Sequence, residues 1–185
     1  GEPDPVIVDA GPDQEIELGD STRLQGSYFP FTNGDSTWWS PSKGIRDIND
    51  LESYTVPPGT ITYVLSVLTD AGCLIQDSLL IRVTVDRTVF TPNVMIANGN
   101  GGPNNFFNVY GKKAVKTIEL LEVYDRWGNK VYKSSQVNPF DVSAGWDGYF
   151  NGNPVEQGVY TWLARVLYLD EVTEVYTGDL TVLRQ

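Results

Sequence analysis

Histidine is absent from this chain of 185 residues, and cysteine and methionine occur once each. Without histidine the chain lacks the commonest general base, the usual activator of a serine or cysteine nucleophile and the commonest metal ligand. The lone Cys73 makes no intrachain disulfide and no thiolate zinc site, and it reads as a small buried hydrophobe. No apolar run approaches the roughly 18 residues that a membrane helix needs, so insertion into a membrane is not expected. The opening GEPDPVIVDAGPDQ has neither the basic start nor the apolar h-region of a secretory leader. We read the chain as a piece of a longer protein. Helical periodicity of useful length is missing too.

Catalysis is left with a carboxylate pair or Ser–Lys chemistry. Asp141, Asp147 and Glu156 fall in turn-like sequence, where short acidic side chains bond local backbone. The Gly-rich NGNGGPNN (98–105) lacks the Lys-Ser/Thr and the helix that a phosphate loop requires. No constellation demands an enzyme, and none is expected.

Aromatic residues are plentiful at 12%, with five Trp and ten Tyr. Charge is uneven. Residues 1–86 carry 14 acidic and 4 basic side chains, net −10, and residues 87–185 carry 10 and 9, net −1. Coulomb repulsion from such an acidic front half opposes nucleic acid and anionic membrane as partners.

The recurring pattern is period-two alternation between turn signals about ten residues apart, which predicts an all-β chain of sandwiches. EIELG (15–19) offers Ile16 and Leu18 to one face. STWWSP (36–41) is a strand closed by Pro41. TYVLSVLTDAGC (62–73) alternates, and DSLLIRVTV (77–85) puts Leu79, Ile81, Val83 and Val85 on one side. NNFFNVYG (104–111) and VKTIELLEVYDRW (115–127) read as strands, the latter bulged where Leu120 and Leu121 shift phase. Gly128-Asn129 reads as a two-residue hairpin loop, pairing Trp127 with Lys130 and placing Val123, Trp127 and Tyr132 on one face. VYTWLARVLYL aligns Tyr160, Trp162, Ala164, Val166 and Tyr168, and GDLTVLRQ (178–185) aligns Leu180 and Val182. Two immunoglobulin-like antiparallel β-sandwiches are expected, over 1–86 and 87–185.

The second half carries an ordered series of motifs: FTPN (90–93), NNFF (104–107), VYDRWGNKVY (123–132), WDGYFNG (146–152), GVYTW (158–162) and GDLTVLR (178–184). In that order the half resembles the type B sorting domain of the type IX secretion system, found on gliding-motility-associated and other surface proteins of Bacteroidota. The motif positions are Thr91, Pro92, Asn93, Arg126, Trp127, Gly128, Trp146, Asp147, Gly148, Gly158, Tyr160 and Arg184. The resemblance implies a folded signal for export through periplasm and outer membrane to the cell surface or medium. It implies the translocon, or an associated outer-membrane protein, as partner, and neither catalysis nor cofactor. Contact would come through surface complementarity or through an exposed edge such as GDLTVLR.

The family's acidic loop positions are here Asn100 and Asn105, which removes the Coulomb attraction a Ca²⁺ site needs. A second place for Ca²⁺ is the junction, through Asp9, Asp13 or Asp86. The first half resembles the PKD-like, immunoglobulin-like repeats that precede such domains, with Trp39 as core Trp and Tyr63 as a tyrosine corner. DST (20–22), DST (35–37) and DSL (77–79) resemble the Asp-Ser/Thr-apolar pattern of O-glycosylation in Bacteroidota. That implies Ser21, Ser36 and Ser78 as acceptors, although Asp-Ser is also ordinary turn chemistry.

At the 123–132 hairpin, Arg126 is expected to lay its guanidinium on Trp146 and to pair with Asp147, with Gly128 supplying a positive φ. The alternative for the whole chain is an adhesin stalk or tip that stacks exposed aromatics on surface glycan or holds a protein partner.

Overall fold

The computed structural model describes residues 5–32, 34–97 and 102–184. The chain divides into two compact units, Gly1–Val85 and Asp86–Gln185.

In the first unit the strands are β1 (Ile7–Asp9), β2 (Gln14–Glu17), β3 (Thr22–Arg23), β4 (Ser27–Phe29), β5 (Ser36–Ser40), β6 (Tyr54–Thr55), β7 (Ile61–Leu68) and β8 (Leu74–Thr84). A four-stranded sheet runs β2-β8-β7-β5, and two-stranded ribbons β1-β4 and β3-β6 accompany it. Trp39, Tyr63, Leu65, Leu79 and Ile81 meet Leu24 and Ala10 in one buried cluster. Alternation produces this directly, because residues two apart on a strand share a face. Each Leu or Ile of the cluster contributes roughly 1.5–3 kcal/mol on burial. The Trp39 indole Nε1 donates to the Asp50 carbonyl at 3.0 Å, which satisfies the donor inside the core. The Tyr63 hydroxyl donates to the Lys43 carbonyl and lies 2.8 Å from Thr55 Oγ1. It therefore ties a strand to a loop distant in sequence, where a tyrosine corner reaches only a few residues back.

Two expectations in this unit are corrected. β8 starts at Leu74, three residues before the expected 77, and Val85 lies beyond its end, exposed. Cys73 is exposed, not buried. It closes a tight turn in which Thr69 N donates to Cys73 O at 2.9 Å and Gly72 N donates to Thr69 O at 2.8 Å. A hairpin end projects into solvent, and local hydrophobicity does not report that.

The second unit contains β9 (Val89–Phe90), β10 (Val94–Ile96), β11 (Tyr110–Gly111), β12 (Val115–Tyr124), β13 (Lys130–Ser134), β14 (Tyr149–Phe150), β15 (Asn153–Pro154), β16 (Gly158–Tyr168) and β17 (Thr173–Leu183). A five-stranded sheet runs β10-β17-β16-β12-β13, with ribbons β11-β9 and β14-β15. Both large sheets are antiparallel apart from one edge pair each, β2 with β8 and β10 with β17. The inward row of β16, Tyr160, Trp162, Ala164, Val166 and Tyr168, is buried throughout, as are Leu180 and Val182 of β17. The β12–β16 register shifts between Ile118 and Leu120, the bulge that the Leu120-Leu121 phase change announces. The molecule is all-β, built of immunoglobulin-like sandwiches.

Residues 104–111 are not one strand. A 3₁₀ turn (Pro103–Asn105) is followed by an isolated Phe107–Trp146 bridge, and only Tyr110–Gly111 pairs. β17 is longer than its motif and starts at Thr173. GDLTVLR is also no free edge, because β10 pairs with Thr181–Leu183 on the side away from β16. A return strand from earlier in the chain occupies it, which the local pattern of the last strand does not encode.

Candidate recognition site at one end of the second sheet

The β12–β13 connection is a five-residue turn. Asp125 N donates to Asn129 O at 2.9 Å and Gly128 N to Asp125 O at 3.0 Å, with Gly128 at φ +81°. This is the three-residue hairpin loop in which a left-handed fourth position follows a type I turn, rather than the expected two-residue loop. The Asp125 carboxylate selects it. It accepts from Trp127 N (2.8 Å), Asn129 N (2.9 Å) and Asn129 Nδ2 (2.9 Å). Those bonds, the Asn129 amide foremost, hold its carboxyl below the usual range.

The turn moves Trp127 off the strand. β12 and β13 pair Tyr124 with Lys130 and Val123 with Tyr132, so Trp127 opposes nothing and is 78% exposed. The expected Arg126–Trp146 stacking is absent as well. Arg126 lies over the Trp127 ring, 5.5 Å from its centroid, and no Arg126–Asp147 ion pair occurs among the described residues. Trp146 is fully buried. Its Nε1 donates to Tyr149 O at 2.9 Å, and its ring packs 5.5 Å from Tyr160 and 6.3 Å from Tyr132. Asp147 accepts from Tyr149 N at 3.0 Å, a local turn bond. At Gly148, φ is +80° and a Cβ would stand 2.7 Å from Ala97 Cβ, so a side chain there is excluded twice over.

A second hairpin stands beside the first. β14 and β15 join through Asn151 (φ 52°) and Gly152 (φ 77°), the Asn-Gly pair of a mirror-image two-residue turn. A groove of about 450 Å³ is lined by Asp125, Arg126, Trp127 and Val131, and by Phe150, Asn151 and Asn153 through Tyr160. Its buried lining is Val131, Val155 and Tyr160, while Trp127, Phe150 and Val159 are exposed. The Tyr160 hydroxyl donates to Glu156 O at 2.7 Å, and burial pushes its pKa up. Glu156 pairs with Arg184 at 3.8 Å.

Of the motif residues, Arg126, Trp127, Gly158 and Tyr160 meet at this groove, with Arg184 joined through Glu156. Gly128 shapes its tip. Trp146, Asp147 and Gly148 serve packing and turns. Thr91 and Pro92 are half-buried between β9 and β10, and Asn93 O accepts Thr181 N at 2.8 Å, outside the lining. Phe150, Val159 and Gln157 were not singled out by sequence, although Asn151-Gly152 after Tyr149-Phe150 marks the hairpin that presents the first.

The remaining candidates take separate places. Ser21, Ser36 and Ser78 are exposed. Asp35 accepts from Thr32 N and Asp70 N, and Asp77 from Ala10 N, so both preceding carboxylates hold backbone. Asn105 is buried and donates to Ile96 O at 2.6 Å, whereas Asn100 lies outside the described residues. Asp9 accepts from Gly11 N, Asp13 from Leu80 N, and Asp86 pairs with Lys112. Among the described residues no three His, Cys, Asp or Glu stand close enough to hold a metal ion.

Among solved structures the chain is similar to the PKD domain from KIAA 1837 protein, 27% identical over 43% of this chain and 86% of that one, with a TM-score of 0.35. It is also similar to DIP-gamma IG1+IG2, 9% identical over 97% of each chain, with a TM-score of 0.36. Dimeric latent PorU from Porphyromonas gingivalis is 13% identical over 94% of this chain and 19% of that one, with a TM-score of 0.30. No curated protein matches the sequence. The CHU_C Type IX secretion signal domain matches residues 89–182, half of the chain, and the chain belongs to that family.

Proposed function

We propose that the second unit is read by the secretion machinery as a folded shape, and that its carrier is delivered to the cell surface or the medium. The family match over residues 89–182 carries this reading. The division of labour among the motif residues supports it. Trp146, Gly148 and Tyr160 hold the framework, and Arg126 and Trp127 stand outside it on a turn stiffened by Asp125. On this reading the first unit is a spacer, and neither unit supplies a catalytic step or a cofactor.

The test is a periplasmic reporter fused ahead of the whole chain, and ahead of residues 87–185, in a type IX-competent host. Both fusions reach the surface or medium, and neither does in a strain lacking the translocon. Trp146→Asp unfolds the unit and abolishes export. Export that persists with the unit unfolded defeats recognition by shape.

A further inference from the structure

The groove between the Asp125–Asn129 and Phe150–Asn153 hairpins holds one guanidinium, that of Arg126, whose charge acts on the neighbouring Asp125 carboxylate without a direct ion pair. Both oxygens of Asp125 are taken by Trp127 N, Asn129 N and Asn129 Nδ2. Glu156 faces Arg184 at 3.8 Å. Arg126 contacts the Trp127 ring and makes no ion pair within 4 Å among the described residues. A guanidinium poised at a groove mouth in this way answers a carboxylate.

The apolar surface at the groove is also unpartnered. Phe150 and Val159 are 44% and 55% exposed, and with Trp127 they line the groove together with the buried Val131 and Val155. Asn151, Asn153 and Gln157 supply a polar rim. An apolar centre, an amide rim and a Trp-Arg pair on a stiff turn have the composition of a protein-binding hot spot. The fixed turn lowers the ordering cost of docking.

We propose that this groove docks a protein of the export apparatus through a loop that presents an apolar side chain beside an Asp or Glu. The apolar group seats over Val131 and Val155 between Trp127 and Phe150, and the carboxylate pairs with Arg126. A neutral sugar would use the rings but give Arg126 no ion pair, and that favours protein. The proposal rests on the export-signal reading.

The test uses the full chain with an upstream reporter. Arg126→Glu and Trp127→Ala each reduce export about tenfold or more, as loss of a hot-spot residue does. Thr177→Ala, in β17 outside the groove, exports normally, and all three variants keep the wild-type melting temperature. Gln157→p-benzoylphenylalanine photocrosslinks to an outer-membrane protein in translocon-intact cells, and Arg126→Glu removes that adduct. Wild-type export by both groove variants overturns the proposal and leaves the export reading standing. Failure of the unsubstituted chain to be exported brings down both. An adduct that is polysaccharide, destroyed by periodate, overturns the protein partner.

Discussion

The guanidinium of Arg87 lies over the ring of Tyr168, 5.4 Å from its centroid, while the Arg87 carbonyl accepts the Tyr168 hydroxyl at 2.9 Å. Tyr176 donates to the same carbonyl at 3.1 Å, and the Arg87 side chain pairs with Asp170 and with Glu174 at 3.5 Å. Arg87 thus pins the first residues of the unit to the β16–β17 hairpin, two positions before the family match begins at 89. A chain starting at residue 89 is therefore less stable than one starting at 86, by about 1 kcal/mol for the lost Tyr168 hydrogen bond, since the single Tyr176 proton also has Glu174 at 2.6 Å. Tyr168→Phe costs about 1 kcal/mol, and urea melts of the three proteins check both figures.

Trp127 and Trp146 differ in what they give the fold, the first standing in solvent and the second in the core. Trp146→Ala empties a buried site and costs about 3–5 kcal/mol. Trp127→Ala removes an exposed ring and changes stability by less than about 0.5 kcal/mol. Thermal melts alongside export assays should show the first variant unfolded and the second folded but unexported.

Three hairpins share one geometry. In Thr69–Cys73, Asp125–Asn129 and Tyr168–Val172 the first and last residues bond, and the fourth N–H returns to the first carbonyl. The fourth residue is Gly72, Gly128 and, in the third, Glu171 at φ +64°. A non-glycine residue held there costs about 1–2 kcal/mol. Glu171→Gly relieves that strain and gives up only an exposed ion pair with Lys116, worth about 0–1 kcal/mol. The variant should melt higher than wild type, as calorimetry will show.

The Glu122 carboxylate is held below its ordinary pKa of 4.5 by the Lys130 hydrogen bond first, then by the Tyr124 hydroxyl and the charge of Lys133. A depressed folded-state pKa stabilises above the unfolded value and ceases to as pH falls through the folded one. Glu122→Gln should therefore destabilise the protein at pH 7, and the gap should close as pH drops well below 4.5. Urea midpoints at pH 7 and pH 3 measure it.

Much of the fold was legible along the chain. The buried row from Tyr160 to Tyr168 and the bulge at Leu120-Leu121 follow from alternation, which each strand carries locally, while the core position of Trp39 came from the resemblance to PKD-like repeats. Residues 104–111 misled for the same reason. Their apolar content is real, but Phe107 is held by a single bridge to Trp146 from far along the chain, and local pattern records no such partner.

Composition and spacing were enough to make the molecule all-β and to mark where chain reversals fall, and the resemblance of its ordered motifs pointed to an export signal. Tertiary packing alone settled which of two tryptophans stands in water. Trp127 and Trp146 both precede turn residues, and only the Asp125 hydrogen bonds and the enclosure of Trp146 by Tyr132 and Tyr160 tell them apart. Burial depends on what the rest of the chain brings to a residue, and the groove exists because the separate β14–β15 ribbon lines it together with the β12–β13 hairpin of the large sheet.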